Sequence, residues 1–528
     1  MLQPMLQDFS TYRSDRGVGI VVGAQDPIRE RQYDVWWRTV IAGPTRNTGG
    51  AIGNDFPAAY LHDPVVSIEH FLFFHGDLDW RHHRAELRVV EGSFVLGVWG
   101  PGTDAVTVEY EQRPCAELPT RWAALSRLVV WSQRFLPEAR PSRDADVAEL
   151  SLRAFEQSVN PETSLMTVGG QTGHLMYVRG TSEAWSDDEV DHLELLAQSD
   201  IAWGLALLED RRTSEQDAWL GDLIRVIGAF WSPTQRYFSN IYPHTEDSFS
   251  GGNVIVQRTA GRESTNVWYQ MYNHARLAEI ALLVDVPWEP QLREAVDRTR
   301  ELAEKARYRF PLFWWLDDAE AVMRSDDAGS AGAYAWLMIR AFDLWNDPGY
   351  LSAAEEALEV LHRSNIDDIY GESVVIARAA WSSHELYRRT GQSHWARYAE
   401  DFTAATLRMM YWSGSKAGMF QACAAMLYPA FFENVGVLLA LDPLLASSTF
   451  DLEGVLRRQL PADLDFFDGI GPASAVPHEC LSTVEYPFGG RVGKELYAIG
   501  EVLQLPYLLD RLNGREIRRI RSRVESSR

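Results

Sequence analysis

The pattern of apolar and polar residues divides the chain into a first part that predicts strands and a longer second part that predicts helices. Runs of β-branched residues broken by glycine predict strands at 17–24 and 85–100, and strict alternation predicts a strand at 104–112. Residues 164–180 predict a strand pair around a Gly-rich turn. We therefore expect residues 1–185 to form a β-rich N-terminal domain.

A connecting helix is predicted over residues 186–213. Ser186 is a suitable N-cap with acidic residues after it, and the arginines at the other end complement the helix dipole. Residues 214–514 then predict helices almost throughout, joined in pairs by short loops. These helices are 215–231, 264–284, 289–307, 329–345, 350–364, 371–390, 394–412, 418–441, 449–459 and 489–512.

Within the pairs, the first helix is more apolar and the second is more charged. The contrast is clear between SAGAYAWLMIRAFDLW (330–345) and LSAAEEALEVLHRS (351–364). Buried first helices and solvated second helices suit a closed double ring with the first helices inside. An open solenoid would also bury one helix of each pair, but its ends usually need polar caps, which this sequence lacks.

Composition and charge exclude several classes of function. The 50 lysines and arginines against 74 aspartates and glutamates give a net charge of −24, which argues against nucleic-acid binding and against docking on anionic lipid. No apolar window is long enough to span a membrane, and residues 1–16 do not resemble a signal peptide. Three cysteines are too few for a disulfide framework, so we expect a cytoplasmic protein.

Motifs for cofactors and metals are also absent from the sequence. It contains no phosphate-binding loop, no dinucleotide fingerprint after a strand, no HEXXH and no GxSxG. We therefore predict neither a cofactor nor a metal. The basic tail at 515–528 is short and predicts a helix end rather than a nucleic-acid-binding arm. The sequence leaves the oligomeric state open.

The helical part of the chain resembles a known superfamily of enzymes. Joints such as NDPGYLSAAEEAL (346–358) and TGQSHWARYAEDF (390–402) place a turn and an aromatic residue before an Ala/Glu-rich helix. Such joints are typical of the six-hairpin (α/α)6-toroid enzymes, which include glycoside hydrolases, polysaccharide lyases and sugar epimerases. The resemblance implies an α+β fold class, with a closed (α/α)6 toroid as catalytic domain and a cleft where the inner helices begin.

The first candidate site combines carboxylates with aromatic residues. Trp314 and Trp315 are followed by Asp317 and Asp318, near a predicted helix start. Glycosidic cleavage needs two carboxyl groups, and an aromatic platform would hold the sugar. Adjacent residues of a helix point about 100° apart, so we expect only one aspartate to face the cleft. The alternative is an acidic helix start that the helix dipole stabilises.

The second carboxylate is expected from a Gly/Pro-rich loop before the last long helix. This loop contains His478, Glu485, Tyr486 and Arg491. We assign Glu485 as the partner of one aspartate and the other three residues to substrate binding. Tyr370, which precedes another inner helix, is expected to line the same cleft. The alternative is an ordinary solvated loop.

A second candidate site lies on the helix predicted at 264–284. Tyr269, Asn273 and Arg276 share one face by their spacing, and His274 is adjacent. By resemblance, these are the residue types with which toroid polysaccharide lyases neutralise a uronate carboxylate and remove a proton. The alternative is a set of polar residues satisfied inside the barrel.

These observations predict a carbohydrate-active enzyme that acts on a glycan or oligosaccharide. A glycoside hydrolase is favoured, with inversion by resemblance and an acid whose pKa is raised by desolvation against an aromatic ring. A polysaccharide lyase or uronate epimerase that uses the Asn/His/Tyr/Arg group is the alternative enzyme. A non-catalytic glycan-binding or scaffold protein is the alternative outside enzymes.

Overall fold

The computed structural model describes most of the strands and helices of the chain. The described residues are 11–14, 16–24, 41–42, 56–63, 67–76, 83–117, 119–138, 152–153, 155–156, 158–176, 178–179, 192–243, 256–259, 262–322, 327–364, 371–412, 417–423, 426–429, 431–458, 499–505 and 508.

Among these residues the helices, in chain order, are α1 (Arg121–Ser132), α2 (Leu195–Leu208), α3 (Ser214–Ala229), α4 (Val267–Leu283), α5 (Glu289–Lys305), α6 (Ser330–Trp345), α7 (Pro348–Arg363), α8 (Ser373–Thr390), α9 (Ser393–Arg408), α10 (Phe431–Leu441), α11 (452–458) and α12 (Ile499–Val502). The strands are β1 (Thr11–Ser14), β2 (Gly17–Ala24), β3 (Ile41–Ala42), β4 (Ala58–Asp63), β5 (Ile68–His75), β6 (Arg84–Val90), β7 (Ser93–Trp99), β8 (Thr107–Pro114), β9 (Leu165–Val168), β10 (Gln171–His174), β11 (Leu193–Glu194), β12 (Trp231–Ser232), β13 (Tyr237–Phe238), β14 (Ile241–Tyr242), β15 (Val256–Thr259), β16 (Arg262–Asn266), β17 (Phe313–Trp315), β18 (Gln421–Cys423) and β19 (Met426–Pro429).

The N-terminal strands form two four-stranded antiparallel sheets, in the orders β1-β2-β7-β6 and β3-β4-β5-β8. Strand β5 alternates between two cores because successive side chains of a strand point to opposite faces. Leu72 and Phe74 lie in the core that the two sheets share, whereas Phe71 and Phe73 belong to the large core of the helices. The second sheet is therefore buried on both faces and joins the strands to the helices.

The helices confirm the predicted contrast between the members of each pair. In α6 nearly every residue is buried, including the polar Ser330 and Asp343. Helix α7 is amphipathic and buries one stripe at helical spacing, made of Tyr350, Ala353, Ala354, Ala357, Leu358 and Leu361. The first helix of this hairpin is thus enclosed, and the second covers it.

The enclosed helices pack against one another in sequence. Helix α2 contacts α4, which is followed by α6, α8 and α10, and α12 contacts both α10 and α2. Glycines allow two of these approaches. A Cβ on Gly204 would lie 2.7 Å from the Cα of Gly500, and a Cβ on Gly332 would lie 2.0 Å from the carbonyl oxygen of Val375. No described helix is long and apolar enough to cross a membrane.

Two predicted helix boundaries are wrong. Within the predicted connecting helix, Leu193 and Glu194 pair with β14 as a short strand and α2 begins at Leu195, while Ser186 lies outside the described residues. Residues 418–441 are not one helix, since β18 and β19 form a hairpin before α10 begins. Pro429 ends that hairpin, and a proline there would have interrupted a continuous helix.

Candidate functional site

Asp317 and Asp318 lie in a turn after β17, so the predicted helix start is wrong. The chain reverses there, since Trp314 pairs with Ala321 in an antiparallel bridge and Ala319 adopts a left-handed φ of 64°. The two side chains are 55% and 43% exposed. Arg262 binds both, with contacts of 2.8 and 2.6 Å to Asp317 and 2.6 Å to Asp318.

This surface turn has the wrong electrostatics for a catalytic acid. The hydrogen bonds from Arg262 hold the pKa of Asp317 below its ordinary value, whereas we predicted a raised pKa. The guanidinium also covers the face of Trp315 at 4.6 Å. Trp314 is fully buried and its indole Nε1 donates to Gln270 at 3.0 Å, so it is a core residue rather than a cleft wall.

The remaining residues of the first predicted site cannot be placed. Glu485, Tyr486, Arg491 and His478 lie outside the described residues, as does Tyr370. Their catalytic and substrate-binding roles stay predictions.

Helix α4 separates the residues of the second predicted site. Asn273 Nδ2 donates to Asn240 at 3.0 Å and Asn273 Oδ1 accepts from Ser199 of α2 at 3.4 Å, whereas His274 lies 3.5 Å from Thr299 of α5. Burial lowers the pKa of His274 to about 4, so its ring is neutral at pH 7. His274 is thus a core residue that faces away from Asn273.

Arg276 and Tyr269 mark the two ends of the α4 face. Arg276 is fully buried and binds Asp200 of α2 at 2.6 Å, so it faces the same neighbouring helix as Asn273, as the spacing predicted. Tyr269 lies in the first turn of α4, where its ring centroid is 4.2 Å from that of Trp268. Both aromatic side chains are almost entirely buried.

Arg276 belongs to a larger group of buried charges, which we name the inner-ring cluster. It consists of Asp200, Trp203, Tyr272, Arg276, Glu279, Trp336, Arg340, Asp343, Arg378 and Trp381, from α2, α4, α6 and α8. Arg276 binds Asp200 and also Glu279 at 3.3 Å. Arg340 binds Glu279 at 2.9 Å and Asp343 at 3.1 Å.

Aromatic rings separate the guanidinium groups of the cluster. Arg276 lies 3.5 Å from the ring centroid of Trp203, and Arg378 lies 4.1 Å from that of Trp336. Arg340 covers Trp381 at 4.5 Å. Cation–π contacts of this kind are strongest where water is excluded. Burial raises the pKa of Asp200 and lowers the pKa of Arg378 to about 10, because it penalises the charged form of each.

Two buried carboxyl groups lie where α2 and α6 begin. Asp327 precedes α6, and its Oδ2 accepts from the Ser330 hydroxyl at 2.5 Å, while Oδ1 has no hydrogen-bond partner among the described residues. Glu194 is the N-cap residue of α2, with Oε1 3.8 Å from the ring of His192, and its Oε2 likewise meets no donor in the part of the chain that the structure describes. Burial raises the pKa of Asp327 to about 7, against the hydrogen bonds from Ser330.

The outer helices α3, α5 and α7 lie between α2, α4, α6 and α8 in the chain, so we expect these four inner helices to begin at one end of their shared core. The starts of α6 and α8 are in contact there. A Cβ on Gly371 would lie 3.0 Å from the Cα of Gly329 and 3.4 Å from Oδ1 of Asp327. The start of α4, with Trp268 and Tyr269, lies between those of α2 and α6 in the order of packing.

Glu194, Asp327 and the charged residues of the inner-ring cluster other than Arg276 were not predicted as site residues, although the sequence contains one indication of the cluster. Arginines stand inside otherwise apolar helices at helical spacing from tryptophan, as in Trp336–Arg340 and Arg378–Trp381. A charge in such a helix needs a partner or a function. Among the described residues no three His, Cys, Asp or Glu side chains are placed to hold a metal ion.

Comparisons with known proteins give structural matches only. No family model and no curated protein matches the sequence. A family 76 glycoside hydrolase from a bovine Bacteroides thetaiotaomicron strain matches with a TM-score of 0.46 at 11% identity, over 94% of this chain and 98% of that one. Cellobiose 2-epimerase from Spirochaeta thermophila matches with a TM-score of 0.46 at 11% identity, over 70% and 96%.

A sugar epimerase from a ruminal bacterium also matches, with a TM-score of 0.47 at 8% identity, over 71% of this chain and 100% of that one. All three matches have TM-scores below 0.5 and identities of 11% or less. At these TM-scores and identities they assign neither a family nor an activity to this chain.

Proposed function

We propose that the protein is a carbohydrate-active enzyme whose substrate binds where the inner helices of a closed (α/α)6 toroid begin. The observation that carries this proposal is the pair of buried carboxyl groups, Glu194 and Asp327, each with one oxygen that no described residue hydrogen-bonds. An unsatisfied buried acceptor costs free energy. The hydroxyl groups of a sugar are donors that would satisfy it.

The surroundings of these carboxyl groups suit a sugar. Trp268 and Tyr269 form an aromatic pair in the first turn of α4, the helix between the two that the carboxyl groups precede. Binding sites for small molecules combine apolar and aromatic walls with a few polar groups that fix orientation. The starts of α2, α4 and α6 supply both components.

Hydrolysis is the reaction class that we propose. Asp327 would be the general acid, because a pKa of about 7 lets a carboxyl group keep its proton near neutral pH and release it to a leaving oxygen. Glu194 would activate the attacking water as general base. The earlier assignment, one of Asp317 and Asp318 with Glu485, is the competing proposal for the same reaction.

The organisation of the chain is part of the proposal. It has a β-rich N-terminal domain at 1–185, a connecting helix at 186–213, the toroid at 214–514 and a basic tail at 515–528. The cyclic packing from α2 to α12 and back to α2 supports closure of the ring. The core that the second sheet shares with the helices suggests that the N-terminal domain supports the toroid.

A screen of neutral and acidic oligosaccharides with mass-spectrometric product analysis tests this proposal. Hydrolysis adds one water, a lyase gives an unsaturated product that absorbs in the near ultraviolet, and an epimerase leaves the mass unchanged. We expect hydrolysis, and Asp327→Asn and Glu194→Gln to lower kcat by about 10²–10⁴-fold with an unchanged circular dichroism spectrum.

Asp317→Asn and Asp318→Asn are the matched controls, since they remove exposed carboxylates from the turn after β17. We expect both to keep wild-type kcat. Full activity of Asp327→Asn and Glu194→Gln, together with loss of activity in either control, would favour the earlier assignment. Absence of any product across the panel would favour a non-catalytic glycan-binding protein.

A further inference from the structure

The inner-ring cluster contains one guanidinium group whose positive charge no described carboxylate binds. Arg276 is bound by Asp200 and Glu279, and Arg340 by Glu279 and Asp343. Arg378 is 3% exposed, and its Nε and Nη2 have no hydrogen-bond partner among the described residues. The charged groups that act on it include Arg276 and Arg340, which oppose its positive charge, and Glu279, which favours it. Arg378 is therefore a buried cation that no described carboxylate binds directly.

The unpartnered atoms have the geometry of an oxyanion site. Nε and Nη2 share one edge of the planar guanidinium, so together they can donate two parallel hydrogen bonds. Trp336 covers the face of the group at 4.1 Å, which fixes its plane and leaves that edge free. A carboxylate, phosphate or sulfate presents two oxygens at the matching spacing.

The position of Arg378 relates it to the proposed sugar site. Arg378 lies five residues after Ser373, the first residue of α8, which is about 7.5 Å along a helix that rises 1.5 Å per residue. A Cβ on Gly371, two residues before α8 begins, would lie 3.4 Å from Oδ1 of Asp327, so the start of α8 lies beside that carboxyl group. A ligand that reaches Asp327 at the ring opening thus approaches Arg378 one to two helical turns deeper.

We propose that Arg378 binds an oxyanion carried by the substrate, so that the substrate is an acidic sugar, either a uronic acid or a sugar phosphate or sulfate. This inference rests on the proposed function for the sugar, but the anion site itself follows from the unpaired guanidinium. The net charge of −24 disfavours anions at the surface. Within the inner-ring cluster three arginines face three carboxyl groups, Asp200, Glu279 and Asp343, and Arg378 is the arginine that none of them binds directly.

Binding measurements on the full chain test the inference without requiring turnover. Isothermal titration would compare glucose, glucuronate, glucose 6-phosphate, glucose 6-sulfate and inorganic phosphate. We expect at least one acidic sugar to bind 10-fold or more tightly than glucose, and the ranking of the acidic sugars identifies the oxyanion. Equal affinity for glucose and all acidic sugars overturns the inference, as does binding of inorganic phosphate alone.

Two variants assign the preference to Arg378. Arg378→Met keeps most of the bulk and removes the charge, and it should abolish the preference for acidic sugars while glucose binds as before. Arg378→Lys keeps the charge but lacks the two parallel N–H donors of the guanidinium group, and it should retain only part of the preference for acidic sugars. Arg225→Met is the matched control, because Arg225 is 70% exposed on α3. Retention of the full preference in Arg378→Met overturns the inference, and if that variant does not fold, the wild-type titrations still decide it.

Failure of the proposed function and failure of this inference give different results. Acidic sugars that bind through Arg378 without any turnover would contradict the enzyme proposal and leave the oxyanion site intact. Turnover of neutral oligosaccharides without preference for acidic ones would support the enzyme and contradict the oxyanion site.

Discussion

The surface turn at Asp317–Asp318 and the inner-ring cluster are built from the same residue types. In each, an arginine lies over a tryptophan and binds two carboxylates: Arg262 over Trp315 in the turn, and Arg276 over Trp203 in the ring. The turn is exposed to water, whereas Arg276 and Asp200 are fully buried.

Burial changes what the same groups can do. In the turn, hydrogen bonds from Arg262 lower the pKa of Asp317, so its carboxylate stays ionised. In the ring, loss of water raises the pKa of Asp200 and lowers that of Arg378. Perturbed groups of this kind are found preferentially at functional sites. The comparison shows that residue type and proximity to an aromatic ring do not identify a site without its solvent environment.

The largest expected effect comes from removing the arginine of the buried region. Arg276→Met should lower the free energy of unfolding by about 3–5 kcal/mol, because it leaves Asp200 and Glu279 as buried charges that have lost a partner. Urea denaturation followed by circular dichroism measures the change. A loss below about 1 kcal/mol would mean that water reaches the cluster and that the contrast with the surface turn is false.

In both regions the sequence predicted local structure better than the distant residues that the local structure contacts. The hydrophobic period placed α4 correctly to within a few residues, and it put Asn273 and Arg276 on one face. It could not supply Asp200, which lies 76 residues away on another helix. Local patterns report which face of a helix is buried, but not which charge it meets there.

The same limitation explains the misplaced aspartates. FWWLDD predicts equally well a strand followed by a turn and an acidic helix start. Pairing of β17 with β16, about 50 residues earlier, decides between them, and this pairing leaves no local trace in the sequence. Asp327, ten residues after Asp317, looks in the sequence like an ordinary acid before a helix start, although burial raises its pKa.

An intermediate effect is expected from the pH dependence of Asp327. Its pKa is raised from 3.8 to about 7 in the folded protein, so the folded state binds more protons than the unfolded state between those values. The free energy of unfolding should therefore fall by a few kcal/mol as pH rises from about 4 to 7, relative to Asp327→Asn. Denaturation midpoints across this range measure the difference.

Asp317 changes the free energy of unfolding with pH in the opposite direction. Its lowered pKa means that the folded state releases its proton more readily, so its contribution is present above the unfolded pKa and is lost as pH falls through the folded pKa. Asp317→Asn should thus alter stability in acid and leave the interval from pH 5 to 7 unchanged. Parallel curves for wild type and Asp327→Asn over that interval would contradict the assigned pKa of Asp327.

The smallest effect is expected for Arg262→Met, the same substitution applied to the surface region. Arg262 binds its two aspartates in water, where side-chain entropy and screening offset most of the attraction. We expect the free energy of unfolding to fall far less than in Arg276→Met. In 1 M salt, where the screening length is about 3 Å, most of that loss should disappear, while the loss in Arg276→Met should remain. A salt-independent loss of several kcal/mol in Arg262→Met would show that the turn is shielded from water, and the distinction between the two regions would then fail.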